Sequence, residues 1–149
     1  MTDTTLPDLD CLCGTFRRTA RALTQHYEEA LRPLGLRATQ LTILQVLMRA
    51  GEIPQGRMGE ILAMDSTTLT RTLGIMRRRG WVAERRGTDR RERLLRLSPG
   101  GKALLDRALP EWEKIQARVG QQMGAKRWKN LLKLANETTE AVKSLGGSQ

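Results

Sequence analysis

The stretch ILAMDSTTLTRTLGIMRRRGWVAERRGTDRRERLLRLSPGG, residues 61–101, decides the fold. Its first part, residues 65–79, offers Asp65 or Ser66 as a helix start and Leu69, Leu73 and Met76 at three- and four-residue steps. Gly80 stands where a helix end favours a left-handed residue. One amphipathic helix follows. With Leu69, Leu73 and Met76 on one stripe, Thr67, Thr70, Arg71, Gly74 and Arg78 fall on or near the other. Short hydroxyls, arginine and glycine on an outer face suit entry into a DNA major groove better than a solvated face of Glu and Lys does.

Beyond Gly80, residues 81–85 (WVAER) and 93–97 (RLLRL) read as two short strands, and the link of residues 86–92 carries the turn formers Gly87, Thr88 and Asp89. This is a hairpin with an arginine-rich tip. Ser98-Pro99 supplies a helix N-cap followed by proline at the first helical position. Between Arg77 and Arg96 there are nine arginines against three acids, Glu84, Asp89 and Glu92. A helix, a basic hairpin and a new helix make a winged helix-turn-helix signature, mainly α with a small β-hairpin wing.

The 149 residues carry a formal charge of +10 and a pI of about 10.8, which favours a polyanionic partner. Aromatic content of 3% is too low for a single-strand stacking platform, so double-stranded DNA is the expected polyanion. The surplus charge gathers in the hairpin and its preceding helix, not on a basic helix with an aromatic face, which argues against a membrane surface. No run nears 18 apolar residues and the start, MTDTTLPDLD, is acidic where a signal peptide is positive. A cytoplasmic protein is expected, with Cys11 and Cys13 in a reducing compartment that disfavours a permanent disulfide.

Outward from the central stretch, residues up to about Pro7 are expected to fray. A long helix is predicted over residues 8–31, ending near Pro33-Leu34-Gly35 and giving an N-terminal flank of residues 8–36. A second helix should run from Ala38 or Thr39 to about Arg49, with Leu41, Leu44 and Leu47 or Met48 inward and Gly51 as the stop. A short third helix over residues 54–62 and the turn Ala63-Met64-Asp65 complete the helix-turn-helix, so the DNA-binding domain spans residues 38–98. Residues 99–119 predict a long helix kinked near Pro110, residues 120–124 a break, residues 125–145 a last helix, and residues 146–149 a mobile tail. Neither flank, 8–36 or 99–145, can bury its apolar stripe alone, which points to a two-fold homodimer. Such a dimer reads palindromic half-sites about 34–36 Å apart.

Three segments, LRPLGLRATQLTILQVL (residues 31–47), MDSTTLTRTLGIMRRRGWV (residues 64–82) and DRRERLLRLSPGG (residues 89–101), resemble the MarR family of bacterial winged-helix regulators. The last follows the family pattern Asp-x-Arg, five residues, Leu-Thr, two residues, Gly, with Ser98 in place of Thr. The resemblance implies a dimeric transcription regulator, most often a repressor, whose DNA affinity changes with a small ligand or oxidation. It makes Arg91 the wing arginine that probes the minor groove and Asp89 the carboxylate that orients it.

Thr67, Thr70 and Arg71 are the candidates for base edges and nearby phosphates, Ser66 is a phosphate contact or a cap, and Arg77, Arg78, Arg86 and Arg90 are candidate backbone contacts. Some of these arginines are expected to be ordinary solvated charge. For an effector, a small anionic aromatic compound, Phe16, Arg17 and Trp112 are the candidates, although Phe16 and Trp112 also fit a plain core. On a helix Cys11 and Cys13 point about 200° apart, so they should not clasp one metal or each other. Cys13 shares the stripe of Leu9 and Phe16 and is expected in the core, while Cys11, near Arg17 and Arg18, is a candidate redox residue. His26 lies about 20 Å along the helix from Cys13, too far to complete a metal site. No Gly-rich phosphate loop, paired carboxylates or nucleophile-base set appears, so no cofactor, metal or enzyme is expected. A thiol-based redox sensor and a non-specific architectural DNA-binding protein are the competing readings.

Overall fold

The computed structural model describes Pro7 and residues 9–146. Two compact units divide the chain, residues 1–112 and residues 113–149. The first holds helix α1 (Leu12–Leu31), a 3-10 turn (Arg32–Leu34), α2 (Ala38–Ala50), strand β1 (Glu52–Pro54), α3 (Gln55–Leu62), α4 (Ser66–Arg78), β2 (Val82–Arg86) and β3 (Arg93–Leu97). α5 (Pro99–Met123) begins in it, and α6 (Ala125–Gly146) belongs to the second. The Asp8 helix start and the tail residues 147–149 lie outside the described residues, as does most of the fray expected before Pro7.

Local chemistry sets most of the boundaries. Cys11, in an extended conformation, caps α1 by accepting a hydrogen bond from the Gly14 amide at 3.4 Å, so the helix begins later than its periodicity suggests. The Gln40 side chain accepts from the Arg37 amide at 2.9 Å and closes the first turn of α2. That bond gives Oε1 of the buried Gln40 its partner, while Met48 in the last turn of α2 faces solvent. Ser98 accepts from the Gly101 amide at 3.0 Å and starts α5. α5 runs through Pro110 without interruption, and the break before α6 narrows to Gly124, whose φ of 81° is left-handed.

The hairpin is part of a three-stranded antiparallel sheet in the order β1-β3-β2. β1 corrects the expectation of two strands: Ile53 lies opposite Leu95, and the strand is only three residues long because Pro54 lacks a donor and opens α3. The core beneath the sheet combines Leu41, Leu44 and Leu47 of α2, Met58 of α3, Leu69, Leu73 and Met76 of α4 and Leu95 of β3. Both flanks reach into it, Leu31 and Leu36 from one side and Leu104, Leu105 and Ala108 from the other. In the second unit α6 buries none of its described residues, and Leu132, Leu134, Val142 and Leu145 are exposed on it.

Candidate nucleic-acid interface

Two helices meet at a tight corner. Ala63 adopts φ 49°, a left-handed conformation, and the Met64 amide donates to the Gly59 carbonyl at 2.9 Å. A side chain at Gly59 would crowd the Met64 carbonyl at 3.3 Å, so glycine there lets α4 start close against α3. Asp65 caps α4 by accepting from the Thr68 amide at 2.8 Å. Hydrogen bonds from Thr68, its side chain foremost and then its amide, hold the Asp65 carboxyl below the usual range. Ser66 is therefore the first residue of the helix and not its cap.

Leu69, Leu73 and Met76 anchor α4 in the core, and Ser66, Thr67, Thr70 and Arg71 are exposed on its outer side. Thr70 Oγ1 accepts a hydrogen bond from Gln55 Nε2 of α3 at 3.0 Å. Sequence reasoning missed Gln55, since only the fold brings the two within reach. At the other end Gly80, at φ 73°, lets its own amide reach the Arg77 carbonyl and the Trp81 amide reach the Met76 carbonyl, both at 2.9 Å. Arg79 donates to the Gly35 carbonyl at 2.8 Å and lies over the Trp81 ring, 5.0 Å from its centroid.

In the wing, β2 and β3 pair from Val82 opposite Leu97 to Arg86 opposite Arg93. The tip is closed by the Gly87 amide on the Glu92 carbonyl and the Glu92 amide on the Asp89 carbonyl, both 2.9 Å. Asp89 Oδ1 accepts from the Arg91 backbone amide at 2.9 Å. Its grip on Arg91 thus passes through the main chain, because an Asx turn brings the carboxylate back onto the amide two residues on.

The arginines fall into two groups. Arg77 and Arg93 both bind Glu84, one on each carboxylate oxygen, and Arg85 makes a two-pronged pair with Glu52 of β1, its Nε 2.9 Å from Oε2. Hydrogen bonding from Arg85 keeps the Glu52 carboxyl below its usual range and raises the guanidinium above its own. Arg71, Arg78, Arg86, Arg90 and Arg91 are exposed and enter no ion pair among the described residues. Arg77, a candidate backbone contact, is thus paired with Glu84 and still partly exposed. An acid within an arginine-dense hairpin was the available signal for Glu84, but its partners lie seven and nine residues away.

The remaining candidates are not gathered into one site. Phe16 and Arg17 are exposed on α1, whereas Trp112 packs against the core. Two cavities of the first unit, about 600 Å³ beside Leu47, Arg96 and Lys102 and about 330 Å³ beside Glu28, Arg32 and Arg37, include none of these three. Cys13 is exposed, not in the core, because the N-terminal half of α1 has no described residue buried. Cys11 is a free thiol outside the helix. Among the described residues no cluster of three or more His, Cys, Asp or Glu could hold a metal, and no helix is long and apolar enough to cross a membrane.

A model of the MarR family matches residues 34–92. The chain is 33% identical over 87 residues to the HTH-type transcriptional regulator YwoH of Bacillus subtilis, a match that takes in 58% of this chain and 64% of that protein, less than two thirds of its length. It is similar to the M. tuberculosis transcriptional regulator MosR crystallised with DNA, at 34% identity and a TM-score of 0.83, covering 91% of this chain and 98% of that one. NadR in complex with 4-hydroxyphenylacetate shares the fold at 18% identity and a TM-score of 0.76, over 91% of this chain and 96% of its own.

Proposed function

Because the chain belongs to the MarR family, we propose that it is a dimeric, sequence-specific transcription regulator, acting in the cytoplasm as a repressor of genes beside a palindromic site. The observation that carries this reading is the division of α4: Leu69, Leu73 and Met76 hold one side in the core, leaving Ser66, Thr67, Thr70 and Arg71 exposed on the other. Those groups suit the major groove, while Arg91 at the wing tip suits the narrow minor groove beside it and Arg90 the adjoining backbone. Arg78 and Arg86 supply phosphate contacts. The MosR complex with DNA supports the same partner.

Dimerisation is supported by apolar side chains left exposed on the outer helices, Leu12, Phe16 and Leu23 on α1 and Leu132, Leu134, Val142 and Leu145 on α6. The flanks of residues 8–36 and 99–145 are assigned to this role, and residues 38–98 to DNA. Release by a small anionic aromatic effector is supported by NadR, which was solved with 4-hydroxyphenylacetate. The deciding experiment is selection of duplexes from a random pool, with affinity measured at about 150 mM salt, where counterion release weakens non-specific binding. A palindrome with half-sites about 10 bp apart is expected. Binding without a motif that vanishes as salt rises would make the chain a non-specific architectural protein.

Oxidant control is a second reading, favoured by the place of Cys11. Its thiol is exposed and caps α1, so peroxide, itself reduced to water, would convert that thiol to a sulfenic acid and change the acceptor facing the Gly14 amide at the first turn. Cys11→Ser puts a capping oxygen in place of the sulfur and should make DNA affinity indifferent to peroxide. A variant that responds like the parent would exclude Cys11, and the Cys13→Ser variant would then test the other thiol.

A further inference from the structure

Glu84 sits on β2 with a side chain only 14% exposed, and its two oxygens are taken by guanidinium groups from two different elements. Arg77 comes from the last turn of α4, and Arg93 opens β3. One carboxylate therefore joins the end of the exposed-hydroxyl helix to both strands of the wing. Between α4 and β2 the chain itself offers only Arg79, Gly80 and Trp81. The angle between helix and hairpin would otherwise be left to that short link and the packing beneath it.

The charge pattern makes this join consequential. Arg77 and Arg93 lie among Arg78, Arg86, Arg90 and Arg91 on a chain of net charge +10, so without Glu84 the helix end and the wing would repel. A sheltered pair left with one member gone also strands an uncompensated charge, which makes the two-armed arrangement sensitive to loss of any part. Arg71 on α4 and Arg91 at the wing tip must reach neighbouring grooves of one duplex at once. Their relative placement is what the carboxylate holds.

We infer that Glu84 is a positioning residue for DNA recognition, setting the wing against α4 through Arg77 and Arg93, and that Arg77 is a strut and not a phosphate contact. The inference rests on the DNA-reading function proposed above. It predicts a result opposite to that of simple electrostatics. Glu84→Gln removes a negative charge, frees Arg77 and Arg93 and preserves shape, so a purely electrostatic role gives tighter binding to every duplex and a steeper dependence on salt. A positioning role gives a loss of about tenfold or more in the ratio of affinities for the selected duplex and a scrambled one, with the scrambled affinity unchanged or higher.

The test compares the full chain, Glu84→Gln, Arg77→Met and the double variant on those two duplexes across a salt series, after circular dichroism has confirmed folding. Arg77→Met should lower the same ratio and leave the salt slope on the scrambled duplex unchanged, whereas loss of a phosphate contact would lower it by about 0.9. The double variant should lose no more than either single one, because each breaks the same join. Glu84→Gln binding both duplexes more tightly by an equal factor, or Arg77→Met with a reduced slope, overturns the strut while leaving the DNA reader standing. If Glu84→Gln fails to fold, Arg77→Met decides by its slope and ratio. A parent chain that selects no duplex removes the DNA-reading function and this inference together.

Discussion

Gln55 Nε2 donates to Thr70 Oγ1 at 3.0 Å, so a side chain at the start of α3 fills an acceptor site of a hydroxyl on the outer face of α4. Thr72 on the same helix turns its hydroxyl back onto the Thr68 carbonyl at 3.0 Å, whereas no such bond holds Thr70. Thr70 donates no hydrogen bond among the described residues, so in the proposed complex its hydroxyl would meet DNA as a donor. Gln55→Ala should weaken binding to the selected duplex by about 1 kcal/mol and change folding stability by less than about 0.5 kcal/mol, since Thr70 is exposed and Gln55 only half-buried. Anisotropy titration and thermal melts check the two halves; equal losses in both would make the pair merely structural.

Arg71 and Arg91 should fail differently. Arg71→Ala is expected to relax sequence preference at one major-groove position, and Arg91→Ala to weaken binding chiefly at sites with A·T-rich flanks, each by about 1–3 kcal/mol. Affinities over a panel of single-base and flank variants separate the two. Uniform losses across the panel for both would count against direct reading of the duplex.

Gly101 is buried in the first turn of α5, where an added Cβ would collide with the Trp81 carbonyl and press on the Leu97 side chain. The obstacle is backbone, which cannot rotate away. Gly101→Ala should therefore destabilise the chain by about 1–3 kcal/mol. Gly56, with nothing within 4 Å of an added Cβ, is the control, and its alanine variant should melt at or slightly above the parent temperature.

Asp65 adds a pH dependence. Its carboxyl is held below the ordinary value in the folded state by Thr68, so the stability it confers is fully present above the unfolded value of about 3.9 and is lost as pH falls through the lower folded value. Glu52, held down by Arg85, acts in the same direction from an unfolded value of about 4.3. Asp65→Asn keeps a capping oxygen without the charge. The melting temperatures of parent and variant should differ above about pH 5 and converge in more acid solution; a constant gap would show that the charge contributes nothing.

Much of the candidate interface was legible because its determinants are local. Asp65 at the cap, the stripe of Leu69, Leu73 and Met76, and Gly80 at the end delimit α4 within a residue. Asp89 and Gly87 likewise mark the wing turn. β1 was not legible: Glu52-Ile53-Pro54 is too short for periodicity, and what makes it a strand is β3, some 40 residues on. The exposure of Cys13 escaped for a related reason, since an apolar stripe says which face can be covered and not whether anything covers it.

The amino-acid sequence by itself determined the helices, their caps, the turn residues and the density of arginine, and through these the winged helix-turn-helix and the MarR resemblance. Backbone preference and side-chain periodicity act over a few residues, so no distant partner is needed to read them. Only the tertiary structure decided which arginines are free. Arg77 and Arg93 converge on Glu84, Arg85 reaches Glu52 across 33 residues, and Arg71, Arg86, Arg90 and Arg91 are left exposed. A guanidinium carries the same charge wherever it lies in the chain; whether a carboxylate meets it depends on strands and helices brought together from far apart.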